Sequence, residues 1–412
     1  MSRYHSYLNS AKEILSSYKG EEPFASFIKK YFTANKKFGS RDRKVVANLC
    51  YCYFRMGKAA PTGILEESLQ LEEKILTGVF LCSIEPNELL QNLKPEWNIK
   101  TGLSINEKLS SVNYQLSSVF PWKEELSAGI EYEKFCASFF AQPDLFLRIR
   151  PGHAEKVLLK LNETGVNYEF ISPFSIRLPN SFKADKYFEL DKEVVVQDHN
   201  SQRVGELFLP VRRGPSDRVW DCCAGSGGKS IMAYDLNPGI RLVVSDVRES
   251  ILANLKKRFE RAGIKKYKSL ILDLSKGNTQ HSIINNPRLT DSVGQEQSII
   301  IADVPCTGSG TWGRTPEQLF YFDTSKIDEY ATRQKNIVSN IIPKLRPGGY
   351  LLYITCSVFK KENEDVVNYL KEKFPVRMDH PGGHLQLMRM ELLKGYELKA
   401  DTMFAALLQK PL

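Results

Sequence analysis

The sequence predicts an α/β protein with a doubly wound, Rossmann-like parallel sheet in its C-terminal half. From about residue 215, short continuous apolar runs alternate with amphipathic segments, as in parallel strands covered by helices on both faces. Residues 141–205 combine short β-type runs with one helical segment, which indicates a small α+β subdomain. Residues 1–140 show apolar spacings of three and four, which predict an α-helical N-terminal domain. The predicted domains are therefore residues 1–140, 141–205 and 206–412.

Composition excludes several classes of protein. Of the 412 residues, 42% are hydrophobic and 25% are charged, which is typical of a globular fold. No run of ~18 apolar residues occurs, so no membrane-spanning helix is expected. The N-terminus lacks the apolar core of a secretory signal, so we expect a cytoplasmic protein whose eight cysteines are reduced. No paired C-x-x-C framework is present, and no metal site is predicted.

Charge is distributed unevenly along the chain. The net charge is +9, and residues 1–60 carry twelve basic side chains against four acidic ones. Residues 61–145 carry six basic and thirteen acidic side chains. The basic segment indicates a surface that faces a polyanion, although an ordinary solvated helical surface gives the same pattern.

Five apolar runs are predicted to be the parallel strands. In chain order they are RVWDCC (218–223), RLVVSD (241–246), SLILDL (269–274), SIIIADV (298–304) and GYLLYITC (349–356). Helices are predicted between them at 250–263 and 325–345, and MFAALLQ (403–409) is predicted as a last strand at the sheet edge. In the small subdomain, LFLRIRP (145–151) is predicted as a strand, residues 154–165 as a helix, and NYEFIS, SIRLP and KEVVVQD as further strands.

A glycine-rich turn, DCCAGSGGKS, follows the first of these strands and precedes a helix. Gly225, Gly227 and Gly228 allow positive φ angles and a close approach to a ligand. The spacing fails the P-loop pattern, whose first glycine would fall on Cys223, and the dinucleotide pattern, whose third would fall on Ser230. The remaining interpretation is a site for S-adenosyl-L-methionine.

Two acidic residues at strand ends support that interpretation. Asp246 ends the second strand, 21 residues after Gly225, where an acid would hold the ribose hydroxyls. Asp273 ends the third strand, where a polar contact to adenine or the amino group is expected. Either residue alone could be a turn-forming acid, and the ordered set of loop and acids carries the prediction.

Two cysteines also follow strand ends. Asp303, Pro305 and Cys306 come just after the fourth strand, and Cys356 ends the fifth. Because sites in parallel sheets lie beyond the carboxyl ends of the strands, a carboxylate and two thiols are expected beside the cofactor. Methylation at carbon 5 of a pyrimidine needs this set. A thiolate adds to carbon 6, an acidic group supports the developing charge, and a base removes the carbon 5 proton.

These motifs together resemble the RNA 5-methylcytosine methyltransferases of the RsmB/NOP2/Sun family. The matching segments are DCCAGSGGKS, SDVRES, LILDL, ADVPCTGSGTWGR and TCSVFKKENEDVV, in the family's order over about residues 195–365. LFLRIRP resembles the start of the family's RNA-recognition-like subdomain, and FGSRDRKVVANLCYCYFR resembles part of its NusB-type RNA-binding domain. The resemblance implies a class I methyltransferase domain that uses S-adenosyl-L-methionine.

The resemblance also implies roles for individual residues. Cys356 of T-C-S would be the nucleophile, Cys306 of D-x-P-C would assist product release, and Asp303 would contact the target cytosine. The implied cofactor-binding residues are Cys223, Ala224, Gly225, Ser226, Gly227, Gly228, Lys229, Asp246, Arg248, Asp273 and Asp303. The chain departs from the family pattern at Ser226, where proline is usual, and at Asp401-Thr402-Met403-Phe404, where Asp-Gly-Phe-Phe is expected. Residues 275–297 look like an inserted loop without an assigned role.

The expected substrate is RNA, because a base must be unstacked before carbon 5 can be methylated. The candidate RNA contacts are Arg148, Arg150, Arg212, Arg213, Arg314 and Trp312, and residues 29–44 are a basic distal contact. Each of these residues could equally be an ordinary surface residue.

We expect a monomer that acts on rRNA, with tRNA as the alternative. An RNA-binding assembly factor with a degenerate fold is disfavoured by the retention of both cysteines, and a nucleotide-dependent oxidoreductase is disfavoured by Ser230.

Overall fold

The structure is a computed structural model that describes residues 3–57, 67–208, 217–276, 296–374 and 385–412. These residues form two compact units. The first comprises Met1–Glu124, Glu131–Gln142 and Thr311–Asp323, and the second comprises Glu125–Ile130, Pro143–Gly310 and Thr324–Leu412. The domain division drawn from the sequence stays a prediction, as does the likeness of the N-terminal part to a NusB-type domain.

The first unit is helical, as the apolar spacing predicts. Its helices are α1 (Arg3–Ser17), α2 (Phe24–Ala34), α3 (Ser40–Arg55), α4 (Glu67–Cys82), α5 (Glu88–Leu93), α6 (Pro95–Asn98), α7 (Ile105–Ser111), α8 (Tyr132–Ser138) and a short helix at Pro316–Tyr321. Phe24 packs edge-to-face on Phe54 with the ring centroids 4.9 Å apart, and this contact helps join α2 to α3. Among the described residues, every helix is too short or too polar to span a lipid bilayer.

The second unit begins with a small antiparallel sheet. Its strands are β1 (Leu145–Ile149), β2 (Glu169–Ser172), β3 (Ser175–Leu178) and β4 (Val194–Val196), in the spatial order β2-β3-β1-β4. Helix α9 (Ala154–Thr164) buries Val157 and Leu161 and ends at Gly165, whose φ of 62° is left-handed. The α+β subdomain predicted from the sequence is therefore confirmed.

The large sheet follows after two short helices, α10 (His199–Arg203) and α11 (Gly205–Phe208). Its strands and helices are β5 (Arg218–Asp221), α12 (Gly228–Leu236), β6 (Arg241–Asp246), α13 (Glu249–Arg261), β7 (Tyr267–Ile271), β8 (Gln297–Asp303), α14 (Ser325–Ile341), β9 (Leu345–Thr355), α15 (Glu364–Lys373), β10 (Gln386–Leu393) and β11 (Met403–Gln409). The spatial order is β10-β11-β9-β8-β5-β6-β7. Strands β5 to β9 are mutually parallel, which confirms the doubly wound prediction.

Two strand predictions need correction. β11 is not at the edge, because β10 pairs with it in antiparallel fashion and takes the edge position. β10 was not predicted, because its exposed and half-buried residues do not alternate regularly and so leave only a weak strand pattern in the sequence. β7 lies at the opposite edge and is largely exposed. It starts at Tyr267, two residues before the predicted run, and ends at Ile271, so Asp273 lies two residues beyond the strand that it was predicted to end.

Both faces of the large sheet are covered by helices. On one face, Ile231 of α12 and Leu255 of α13 pack with the strands, and both are fully buried. On the other face, Ile341 of α14 and Leu370 of α15 do the same. This arrangement explains why the central strands are continuous apolar runs rather than alternating ones.

One buried carboxylate joins the small subdomain to the large sheet. Asp235 in α12 accepts hydrogen bonds from Arg148 Nη1 at 2.6 Å and from Arg150 Nη2 at 2.6 Å. All three side chains are buried, and Arg150 also donates to the carbonyl oxygens of Asp191 and Ala262. A buried charge is stable only when it is paired, so Asp235 keeps two cations in the interior.

We expect Asp235→Ala to lower the free energy of unfolding by about 3–5 kcal/mol, because two buried guanidinium groups lose their counter-charge. Denaturant titration followed by circular dichroism would measure this loss. Asp185→Ala removes an exposed carboxylate from the same subdomain and should change stability by only about 0.5 kcal/mol or less. Equal stability of the two variants would contradict this view of Asp235.

Candidate active site

The carboxyl ends of strands β5 to β8 surround a cavity of about 520 Å³. β5 lies between β8 and β6, so the chain connections diverge there, which is the usual ligand position in doubly wound sheets. Six of the predicted site residues line this cavity: Cys223, Asp246, Arg248, Asp273, Asp303 and Cys306. Apolar side chains such as Val247, Leu272 and Ile337 complete its wall.

The glycine-rich loop has the predicted conformation at two of its three glycines. Gly225 and Gly227 have φ angles of 52° and 87°. Gly228 is the first residue of α12 and has no positive φ, so the prediction is wrong for this glycine. At Gly227, a Cβ atom would lie 2.7 Å from Phe259 Cε1 of α13. This glycine is therefore needed for packing of the loop against a helix, and not only for its backbone angle.

Asp246 connects the loop to the end of β6. Its Oδ2 accepts from the Gly225 backbone N–H at 3.0 Å, and its Oδ1 accepts from the Arg248 backbone N–H at 2.9 Å. The Arg248 side chain, which is largely exposed, also pairs with this carboxylate at 3.1 Å. Asp246 is therefore a buried carboxylate held in one orientation at the cavity wall.

Asp273 lies across the cavity in a turn of its own. Its Oδ1 accepts from the Ser275 hydroxyl at 2.6 Å and from the Ser275 backbone N–H at 3.1 Å. The hydroxyl contact holds the pKa of Asp273 below its usual value, so the residue presents a carboxylate at neutral pH.

Lys229 and Asp303 form an ion pair beside the thiols. Lys229 Nζ lies 3.1 Å from Asp303 Oδ2 and donates to Ser201 Oγ of α10 at 2.7 Å. Burial acts to lower the pKa of Lys229, but Asp303 and the nearby Cys356 outweigh burial, and the pKa lies above its usual value. Lys229 is therefore a cation at neutral pH, and the pair keeps a compensated charge in the site.

Asp221 is a further acid that the sequence reasoning passed over. It ends β5, just before the glycine loop, is fully buried, and accepts a 2.6 Å hydrogen bond from Ser230 Oγ through Oδ2. Its Oδ1 has no hydrogen-bond partner among the described residues. Burial raises the pKa of Asp221 to about 7. Its position at a strand end, like those of Asp246 and Asp303, is the signal that could have identified it.

The two cysteines of the motifs lie next to each other. The backbone N–H of Cys356 donates to Cys306 Sγ at 3.3 Å, and both side chains are partly accessible. The contact with Cys306, together with burial, raises the pKa of the Cys356 thiol, while Lys229 acts in the opposite direction. The structure thus brings together the predicted carboxylate, Asp303, and the two predicted thiols, Cys306 and Cys356.

A buried hydrogen-bond network holds the two cysteine loops together. Glu362 accepts from the backbone N–H and the hydroxyl of Thr307, at 2.9 and 2.8 Å. Ser309 Oγ accepts from the Val358 backbone N–H at 2.9 Å and lies 3.2 Å from Ser357 Oγ. The motifs contain Thr307, Ser309 and Ser357, but no sequence signal indicated that Glu362 would bond to the other loop.

A backbone contact explains the small residue at Gly310. Its N–H donates to the Cys356 carbonyl oxygen at 2.8 Å, and its carbonyl oxygen accepts from the Thr402 N–H at 2.9 Å. A Cβ atom at Gly310 would lie 1.9 Å from the Thr402 carbonyl oxygen. The segment in which the chain departs from the family pattern therefore packs directly against the cysteine loops.

Among the four singly named candidate RNA contacts that the structure describes, three are buried. Arg148 and Arg150 are buried and bound to Asp235, so their prediction as surface RNA contacts is wrong. Trp312 is also buried, and its ring centroid lies 4.6 Å from that of Phe322, so it cannot stack on a base. Arg314 is half-buried. Arg212, Arg213 and residues 277–295 of the inserted loop lie outside the described residues.

The basic segment 29–44 is largely at the surface. Seven of its cations are exposed: Lys29, Lys30, Lys36, Lys37, Arg41, Arg43 and Lys44. Two of them pair with acids, Lys30 with Glu22 and Arg41 with Glu88. Most of the positive charge is therefore available to a polyanion.

Comparison with known proteins shows what this chain is similar to. Residues 209–408 match the family described as 16S rRNA methyltransferase RsmB/F. The chain resembles the RsmB/NOP2/Sun family. A ribosomal RNA small subunit methyltransferase B from Cronobacter sakazakii is 26% identical over 298 residues, which cover 70% of this chain and 64% of that protein. The chain thus spans less than two thirds of the length of this relative.

Two solved structures share the fold. The crystal structure of PH0851 is 19% identical with a TM-score of 0.69, and the match covers 99% of this chain and 98% of that chain. The NSun6 structure from Pyrococcus horikoshii, determined with SFG, is 15% identical with a TM-score of 0.53, over 72% of this chain and 96% of that chain. These likenesses confirm the predicted fold class.

The match to a methyltransferase family supports the predicted cofactor, S-adenosyl-L-methionine. The residues of the cavity fit this molecule. Asp246 and Asp273 offer carboxylates to hydroxyl and amino groups, while Val247, Leu272 and Ile337 offer an apolar wall to a flat ring. The contact of each predicted cofactor-binding residue with the cofactor remains a prediction.

We expect Asp246→Ala to weaken S-adenosyl-L-homocysteine binding by about 1–3 kcal/mol, because a charge-assisted acceptor is lost. Isothermal titration calorimetry would measure the change. Asp246→Asn, which keeps the shape and one acceptor, should lie between wild type and alanine, and Asp185→Ala should bind as wild type does. Unchanged affinity of the alanine variant would remove Asp246 from the cofactor site.

Glu362 should make stability depend on pH. Burial raises its pKa from 4.5 to about 7, against the opposing hydrogen bonds from Ser357 and Thr307. The folded protein thus holds the Glu362 proton more tightly than the unfolded chain does. The contribution of Glu362 to the free energy of unfolding is therefore fully present below about pH 4.5 and is lost as the pH rises through about 7. Glu362→Gln should therefore lose less stability than wild type between these pH values in denaturant titrations. Parallel pH profiles for the two proteins would show that Glu362 is ionised throughout.

Proposed function

We propose that this protein is an S-adenosyl-L-methionine-dependent RNA methyltransferase that modifies carbon 5 of cytosine through a covalent adduct between Cys356 and carbon 6. The observation that carries the proposal is the position of two thiols, Cys306 and Cys356, beside the ion pair of Lys229 and Asp303. Methyl transfer to oxygen or nitrogen needs no thiol, whereas carbon 5 of a pyrimidine needs a nucleophile at carbon 6.

Each residue of this group has its own step in the proposed reaction. The Cys356 thiol gives its proton to a base and forms a bond from Sγ to carbon 6. The contact with Cys306 and burial raise the pKa of this thiol, and the positive charge of Lys229 opposes that rise. Asp303, held by Lys229, contacts the base edge where charge builds during addition. When bound, S-adenosyl-L-methionine supplies the methyl group. A base then takes the proton from carbon 5, the carbon 5–carbon 6 double bond re-forms, and the bond from carbon 6 to Cys356 Sγ breaks with help from Cys306.

One contact favours a second assignment, with the cysteine roles exchanged. The backbone N–H of Cys356 points at Cys306 Sγ, and such a donor stabilises negative charge on sulfur. Cys306 also lines the cavity directly. In this alternative, Cys306 attacks carbon 6 and Cys356 assists release.

We propose rRNA as the substrate, with a monomeric enzyme acting in the cytoplasm. The support is the family described as 16S rRNA methyltransferase RsmB/F and the exposed cations of residues 29–44. tRNA is the alternative substrate. Bisulfite sequencing of rRNA and tRNA from cells with and without the gene would distinguish them, since the methylated cytosine disappears from only one RNA when the gene is lost.

The two cysteine variants should fail in opposite ways. Cys356→Ala should give neither methyl transfer nor a covalent RNA adduct, because carbon 5 is never activated. Cys306→Ala should transfer the methyl group and then stall, so a protein–RNA band that resists denaturation should accumulate on gels. Cys136→Ala, which removes a buried thiol from the helical unit, should form no more adduct than wild type.

The reverse pattern of adducts would establish the exchanged roles. Full activity of both single variants would rule out covalent catalysis in this protein. Both results are read from the same gel and the same methyl-transfer assay, so the alternatives are separated in one experiment.

A further inference from the structure

A second cavity, of about 350 Å³, lies in the same unit as the candidate active site and shares no lining residue with it. Its walls come from β1, the β2–β3 turn, α10, α11 and the end of α12. Most of the exposed surface of the wall is apolar, with side chains such as Ile149, Phe174, Met232 and Leu236, while eight of the fourteen lining residues are polar or charged. An apolar surface with polar groups that fix the orientation of the ligand is the usual form of a small-ligand site.

Phe174 places an aromatic ring at the mouth of this cavity. It lies in the turn between β2 and β3, and 57% of its surface is exposed. Its backbone is fixed, because its carbonyl oxygen accepts from the Ile149 N–H at 2.8 Å. An exposed ring on a fixed backbone gives a planar ligand a surface on which to stack.

Arg148 supplies a hydrogen-bond donor in the cavity wall. Its Nε donates to Gln197 Oε1 at 2.8 Å, and its Nη1 donates to Asp235 Oδ2 at 2.6 Å. Its Nη2 is buried and has no hydrogen-bond partner within the described part of the chain. Because a buried donor without an acceptor is unfavourable, a ligand that brings an acceptor would bind favourably here.

The charges of the lining residues balance. Arg148 and Arg203 are basic, whereas Asp235 and Glu206 are acidic, and Arg203 also pairs with Glu391 at 2.7 Å. Burial lowers the pKa of His199, the remaining titratable residue named in the lining, so it is neutral at neutral pH. A balanced site favours an uncharged ligand over a phosphate group.

Helix α10 connects this cavity with the candidate active site. His199, Gln202 and Arg203 line the cavity, and Ser201 of the same helix accepts a hydrogen bond from Lys229 at 2.7 Å. Lys229 in turn pairs with Asp303. A ligand in the cavity would therefore contact the same short helix that positions the Lys229 ammonium group.

We propose that this cavity binds one unstacked nucleobase of the RNA substrate, other than the target cytosine. A nucleobase is planar, uncharged and carries acceptors, so it fits the ring of Phe174, the balanced charges and the free donor of Arg148. This inference rests on the proposed RNA substrate. The bound base holds the RNA at a fixed distance from the thiols and thereby selects which cytosine reaches them.

The test is binding of a fluorescein-labelled ten-nucleotide oligouridylate to the full-length protein, measured by fluorescence anisotropy at several salt concentrations. Phe174→Ala should weaken binding about fivefold or more, because a stacking surface is lost. The slope of affinity against salt should stay unchanged, since no charge is removed. Phe174→Trp should bind within about twofold of wild type, because it keeps an aromatic ring.

Phe170→Ala is the matched control. Phe170 lies on the neighbouring strand β2 with 43% of its surface exposed, and it is not part of the cavity wall. Its loss should change affinity by less than about twofold. Added uridine should compete with the oligonucleotide, whereas inorganic phosphate at equal ionic strength should not.

Three results would overturn the proposal: wild-type affinity in Phe174→Ala, an equal loss in Phe170→Ala, or competition by phosphate but not by uridine. Absence of oligouridylate binding by the wild-type protein would overturn it as well. None of these results bears on methylation, which the cysteine variants test separately. Failure of the nucleobase site is therefore distinguishable from failure of the proposed function.

Discussion

The pairing of β8 with β9 is the constraint on which the candidate active site depends. These parallel strands place Asp303 opposite Ile354. Cys306 follows three residues after the first, and Cys356 two residues after the second, so both thiols emerge at the same edge of the sheet. A shift of one residue in this pairing would turn the side chains of one strand to the opposite face and separate the thiols.

Beyond the strand ends, buried hydrogen bonds keep the two loops in place. Thr307 and Ser309 on one loop bond with Glu362, Val358 and Ser357 on the other, and Gly310 adds backbone bonds to Cys356 and Thr402. A polar network of this kind is stable in the interior only when nearly all its members have partners. These bonds hold the two loops in one arrangement, and fixed groups of this kind are the condition for electrostatic stabilisation of a reacting base.

Charge compensation links the small subdomain to the same site. Asp235 neutralises Arg148 and Arg150, which would otherwise be unpaired cations in the interior. This pairing holds the subdomain against α12, and α10 then reaches Lys229 through Ser201. The subdomain therefore packs against the helix that carries Lys229, and its two buried arginines hold the position of that helix instead of facing the surface.

The sequence alone determined the parallel sheet, the order of its motifs and the meeting of Asp303, Cys306 and Cys356, because continuous apolar runs and strand-end residues have local signatures. It did not determine which arginines are exposed, since Arg148 and Arg150 have the same local pattern as surface residues and only Asp235, far along the chain, buries their charge. It also missed β10 and the role of Glu362. An edge strand with weak alternation and a carboxylate bonded across 55 residues both depend on contacts that exist only after the strands have paired.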